Sequence, residues 1–281
     1  MTALDSARAA KGRTALLAAG ALVFNALVWG VSWWPFRQLQ GYGLHPLWAT
    51  ALMYLMIATG LLVLHFKAWR GFVACPQLWF LAIASGLTNI GFNWAVTVGD
   101  VVRVVLLFYL MPAWSVLVAW VLLGEKPTLL SLARLLLAMT GVLIVLKTPE
   151  VSWPVPQGSA DWLAIVGGFS FAVTNALLRK YGHTPPASRM LAMFGGSGLM
   201  AGLAALLGMS LQVVPAPALQ TAGLPVFLGL SLAFMISNTA LQYGAARLAA
   251  ATTAIVMLTE ILFASLSAAL LDAAQFTPRI V

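Results

Sequence analysis

Apolar segments of about twenty residues, each long enough to cross the hydrocarbon core of a bilayer as a helix, follow one another along this chain with only short polar links between them. That spacing leaves few folds open. None of the segments alternates apolar with polar residues, so a membrane β-barrel is excluded. Charged residues make up 8% of the 281 and hydrophobic residues 62%, against roughly 25% charged in an ordinary soluble domain. The chain is read as an all-α integral membrane protein.

The first helix is predicted from Thr14 to Trp34 and ends at Pro35. The second runs from His45 or Pro46 to Phe66, the third from Leu78 to Val98 and the fourth from Val101 to Leu123, with Gly99 and Asp100 as almost the whole turn between the last two. Helix five occupies Leu129 to Leu146. A polar link then carries Pro149, Pro154 and Pro156, which marks a boundary. The chain divides there into residues 1–147, a linker at 148–160, and residues 161–281. Helices six to nine are predicted at Trp162 to Leu178, Arg189 to Met209, Ala222 to Tyr243 and Ala249 to Leu271.

Lys and Arg settle an orientation. With a cytoplasmic N-terminus, Arg8, Lys11, Arg13, Lys67, Arg70, Lys126, Arg134, Arg179, Lys180, Arg189 and Arg247 fall inside, leaving Arg37, Arg103, Lys147 and Arg279 of the 15 outside. This bias follows the positive-inside rule and explains the net charge of +8 without nucleic acid. The basic N-terminus precedes an apolar run without a small-residue cleavage site, so it reads as a retained helix rather than a signal peptide. Cys75 is the only cysteine, which excludes an intramolecular disulfide. His45, His65 and His183 lie far apart at helix ends, so no metal or cofactor site is expected. No nucleophile, base and orienting group recur together, which speaks against an enzyme.

Five helices per half is an odd number, so the second half must enter the membrane from the opposite side. The result is an inverted repeat with a site expected between the halves near mid-bilayer. Asn89 and Asn93 in helix three align with Asn238 and Gln242 in helix eight, and each pair is spaced to share one helix face. Trp29, Trp33 and Arg37 can be laid over Phe171, Asn175 and Arg179. These amides, with Asn25, are candidates to bind a zwitterionic ligand once its water is removed; as interhelical contacts each is worth about 0.6 kcal/mol. Trp29, Trp33, Trp94, Phe108, Tyr109, Trp114, Phe169, Phe171 and Tyr243 are candidate walls of an aromatic cavity. Glu260, a carboxylate well inside a predicted span, either carries a coupled proton or bonds neutral neighbours such as Thr259. Pro112 should kink helix four and is a hinge candidate.

Trp29-Gly30, the Met111-Pro112 step and Gly124-Glu125-Lys126-Pro127-Thr128 ahead of a glycine-containing helix five together resemble the EamA-type exporters of the drug/metabolite transporter superfamily, and most of all the YddG-type aromatic amino acid exporters. The resemblance implies ten helices, both termini cytoplasmic, and export by alternating access across a bacterial-type inner membrane. Gly124-Glu125 has only the displaced counterpart Leu271-Asp272-Ala273. The tenth helix is absent, so the second repeat holds four helices and a truncated fifth; Phe276-Thr277-Pro278-Arg279 resembles its start. Either about twenty further residues complete a span in the natural chain, or a groove lies beside helices five to nine. The expected partners are a small-molecule substrate and the lipid bilayer, the protein being a monomer or weak dimer. The expected substrate is an aromatic amino acid. Other amino acids, drugs or nucleotide sugars are the alternatives within the class; a passive channel or a membrane enzyme are the alternatives outside it.

Overall fold

A computed structural model describes residues 3–130, 132–133, 135–137, 140, 156–245, 247–248 and 256–271. Most of the predicted fifth helix, most of the linker, the start of the predicted ninth helix, Asp272 and the Phe276 to Arg279 segment lie outside the described residues. All regular elements among the described residues are helical. They are α1 (Ala3–Val31), α2 (Trp33–Gly41), α3 (Pro46–Leu64), α4 (Lys67–Ala74), α5 (Leu78–Val98), α6 (Val101–Phe108), α7 (Met111–Leu123), α8 (Ser159–Lys180), α9 (Pro186–Ser210), a 3-10 turn at Thr221–Gly223, α10 (Leu224–Ala245) and α11 (Thr259–Leu270). Among the described residues seven helices are long and apolar enough to span a bilayer, and the shorter α11 is also apolar. The protein is a multi-pass helical membrane protein.

Two prolines act differently from the sequence expectation. The first span does not stop at Pro35 but runs from Gly12 to Gly41. Ser32 separates α1 from α2, and Pro35 is the third residue of α2, where a backbone N–H has no partner within the helix to lose. Pro112 likewise stands second in α7. The break in the fourth span falls just before it, at Tyr109 and Leu110, where the Leu110 N–H bonds Leu107 in a tightened turn.

The two parts of the chain interlock rather than sit side by side. The most buried span, α5, packs against α3, α8 and α9; α1 lies against α10 and α11; α6 and α7 flank α8. Close approach requires small residues, since lipid supplies no hydrophobic drive between helices. A Cβ at Gly91 of α5 would stand 2.6 Å from the Leu163 carbonyl oxygen and 2.9 Å from Gly167 Cα of α8. Gly91→Ala is therefore expected to destabilise the fold by about 1–3 kcal/mol, measured as a lower melting temperature in detergent. Gly20→Ala, with nothing within 4 Å of the added carbon, is the matched control and should melt at or slightly above the wild type, because alanine is the better helix former.

His45 caps α3: its Nδ1 accepts from the Leu47 N–H at 3.2 Å. Burial holds the imidazole below its ordinary pKa of 6.5, so folding favours the neutral ring that the cap needs. That contribution is present above about pH 6.5 and is lost as the pH falls. His45→Asn, which caps without titrating, should flatten the acid side of a melting-temperature profile.

Candidate functional site

A chain of aromatic rings crosses the molecule where the two parts meet. Trp29 of α1 packs edge-on against Phe92 of α5 at 5.4 Å between centroids and against Phe234 of α10 at 4.6 Å. Phe92 continues to Phe108 of α6 at 4.8 Å, and Phe108 to Phe171 of α8 at 5.6 Å. In the other direction Phe234 meets Tyr54 of α3 at 6.0 Å, and Tyr54 meets Phe194 of α9 at 5.7 Å. Rings packed edge-on gain about 0.5–1.5 kcal/mol beyond their buried area, so the junction is cohesive as it stands.

Beside this junction two interrupted helices face each other. Tyr109 closes α6 at the break in the fourth span, and Leu258 forms a turn just ahead of α11, where the Ile261 N–H goes to Leu258 and not to Met257. The Tyr109 hydroxyl lies 2.9 Å from the Met257 carbonyl oxygen and 2.6 Å from Glu260 Oε2. A phenol has one proton to give, and a carbonyl oxygen can only accept. Both contacts are hydrogen bonds together only when Tyr109 donates to Met257 and a protonated Glu260 donates to Tyr109. With Glu260 ionised, Tyr109 donates to the carboxylate and the Met257 carbonyl loses its partner. Glu260 is buried, and no cation pairs with it among the described residues.

The amides serve mainly as links between helices. Asn89 accepts from the Tyr54 hydroxyl at 2.5 Å and donates to the Ser85 carbonyl and to Ser197 Oγ, both at 2.9 Å. Asn93 donates to Thr50 Oγ1 at 3.1 Å, and its buried oxygen has no partner. Asn25 donates to the carbonyl and hydroxyl of Ser237 at 3.0 and 2.7 Å, and its oxygen is likewise buried and unpartnered. Asn238 donates to the Phe234 carbonyl of its own helix at 3.0 Å. The aligned pairs do not touch; they are joined through Tyr54 and Phe234, which lie between them.

The other predicted residues scatter. Trp33 is buried and donates from Nε1 to Ser267 Oγ at 3.0 Å. Trp94 packs edge-on to His45 at 5.4 Å, apart from the main ring chain. Asn175 is exposed, Gln242 is half-buried, and Tyr243 lies half-buried under the Arg247 guanidinium at 3.8 Å. Sequence reasoning missed Tyr54, Phe92 and Phe234 as members of the junction. A signal existed for Tyr54, because a tyrosine in mid-span needs a hydrogen-bond partner.

Among the described residues, two ion pairs join the parts at opposite ends of α8. At its start, Asp161 receives Arg103 through Nε at 3.0–3.1 Å and Nη2 at 2.8 Å, and also the Gln157 N–H at 2.8 Å. At its end, Arg179 meets Glu125 at 2.7 Å. The side chains of the first pair are 20% and 7% exposed, those of the second 64% and 44%. Arg37 reinforces the first end by donating to the Gly99 carbonyl at 2.6 Å. A cleft of about 370 Å³ opens along α5, α7 and α8, lined by Ile83, Leu87, Leu122 and Phe169, and another of about 520 Å³ lies near α4. Neither is lined by the junction rings.

Comparison with known proteins places this arrangement. Residues 16–147 match the profile of the EamA-like transporter family. A solved structure described as "Crystal structure of protein" superposes with a TM-score of 0.64 over 94% of this chain and 91% of its own, at 14% identity, a likeness of fold alone. No curated protein matches the chain. The molecule is thus a multi-pass helical membrane protein whose residues 16–147 are similar to the EamA-like transporter family.

Proposed function

We propose that this protein is a secondary transporter that exports small amphipathic metabolites, aromatic amino acids first among them, across a bacterial-type inner membrane by alternating access. The observation that carries this reading is the meeting of two interrupted helices, one from each part of the chain, at Tyr109 and Glu260 beside the aromatic junction. Discontinuous spans in corresponding positions are where transporters of this construction bind substrate and coupling ion. The family matched by residues 16–147 points to movement of small solutes.

In this reading the packed rings are a closed state. Trp29, Phe92, Phe108 and Phe234 part to receive an aromatic side chain, and stacking on the substrate replaces stacking on one another. The unpartnered oxygens of Asn25 and Asn93 accept from its ammonium group. The halves, taken as inverted repeats of residues 1–147 and 161–281, rock about the junction with the Tyr109–Leu110 break ahead of Pro112 as hinge. The unequal ion pairs fit an end that closes firmly at Arg103 and Asp161 and one that opens readily at Arg179 and Glu125.

Liposomes containing the purified protein should take up labelled Phe, Tyr and Trp saturably, with each competing against the others and Ser competing weakly. Trp29→Ala should raise KM for Phe about tenfold, the loss of roughly one stacking contact. Absence of saturable flux of all three aromatic amino acids would sink the substrate assignment.

A further inference from the structure

The short helix α4 follows α3 in the chain, packs against α9 and has two unlike faces. Ala68 and Phe72 are buried, whereas Trp69 and Val73 are exposed and Lys67 and Arg70 reach solvent. Its position is fixed, because Ser188 Oγ at the start of α9 donates to the Ala68 carbonyl at 2.9 Å. Between α3, α4 and α9 is the opening of about 520 Å³, lined by His65, Phe66, Lys67, Pro185 and Ser188 among others.

Three features of this opening select one kind of occupant. Its lining contains no acidic residue and includes Lys67, and Arg70 follows three residues on in α4, outside the lining; neither has an ion-pair partner among the described residues. Its apolar wall continues along Val63, Leu64 and Phe66, which are 78%, 78% and 67% exposed. It also lies at the end of the candidate span Pro46–Leu64, and the ends of a helix long enough to span meet the headgroup region. A soluble anion would use the cations and leave the apolar wall in contact with nothing. A zwitterionic lipid would use the wall and leave the cations without a net countercharge.

We propose that the opening between α3, α4 and α9 is a binding site for an anionic phospholipid, its phosphate held by Lys67 and Arg70 beside His65 and its acyl chain laid over Val63, Leu64 and Phe66. The site is separate from the aromatic junction, so it bears on lipid requirement rather than on substrate choice.

Native mass spectrometry of the delipidated protein titrated with phosphatidylglycerol or phosphatidylcholine tests this directly. Phosphatidylglycerol should be retained more strongly, and K67Q/R70Q should weaken it about thirtyfold, one basic contact each, without changing retention of phosphatidylcholine. Should the double variant not purify, K67Q alone is read the same way, with a loss of about fivefold. K180Q, whose lysine lines the other cleft, should bind as the wild type does. Excess sn-glycerol 1-phosphate should not displace the lipid. Equal retention of the two lipids, wild-type binding by the variants, or displacement by the soluble phosphate would each overturn the proposal, the last by showing a phosphate site that ignores the acyl chain.

Discussion

Glu260→Gln is expected to abolish uptake driven by an imposed pH gradient in proteoliposomes while leaving substrate-for-substrate exchange within about twofold of the wild type. A glutamine amide donates to Tyr109 as the protonated carboxyl does, and Tyr109 still donates to the Met257 carbonyl. The variant is thus fixed in the proton-loaded arrangement. It retains the contact between the two interrupted helices and loses the ability to release a proton. Tyr109→Phe should behave differently, because it removes the link itself and leaves a buried carboxyl and carbonyl without a partner; exchange and gradient-driven flux should fall together. A Glu260→Gln protein that keeps wild-type pH dependence would remove Glu260 from coupling and return it to a structural role.

The second large effect concerns the ends of α8. Asp161→Ala leaves Arg103 partly buried against three lost contacts, and it also orphans the Gln157 N–H. Breaking one side of a buried pair costs about 3–5 kcal/mol, and the 20% exposure of Arg103 places the expected loss near the lower figure. Glu125→Ala removes an exposed pair and should cost less than about 1 kcal/mol. Thermal unfolding in detergent would compare them, with the ratio of the two shifts as the diagnostic quantity. In flux assays the order should invert in character: Asp161→Ala lets the end held by Arg103 open without substrate and raises leak, whereas Glu125→Ala changes the exchange rate modestly. Equal shifts for the two variants would contradict a firm end and a weak end.

Much of the architecture was legible because lipid imposes a single requirement on length and polarity. Leu78 to Val98 and Val101 to Leu123 were bounded to the residue by Gly99-Asp100 and by Gly124, whose positive φ closes α7. Pro35 misled, since a proline stops a helix or begins one according to its place in the turn, and the sequence does not say which. The contacts of the site were harder to read. Helices that are apolar on every side have no stripe to fix their rotation, so Asn89 and Asn93 were visible as amides, whereas their use by Tyr54, Ser197 and Thr50 was not. Glu260 stood out as a carboxylate in mid-span. Its partner Tyr109 could not be named, because the pairing depends on two helix breaks meeting across 151 residues of sequence. Arg103 falls on the outer side in the sequence reading, but nothing in the sequence pairs it with Asp161 at the start of the second part.

The carrier reading stands or falls on whether substrate on one side of the membrane accelerates movement from the other. Proteoliposomes preloaded with unlabelled phenylalanine and diluted into labelled phenylalanine should accumulate label transiently above its equilibrium level, because each return of the binding site is made faster by a bound substrate. Uptake that rises only to equilibrium, at a rate indifferent to what the liposomes contain, would contradict alternating access and identify a passive pathway instead.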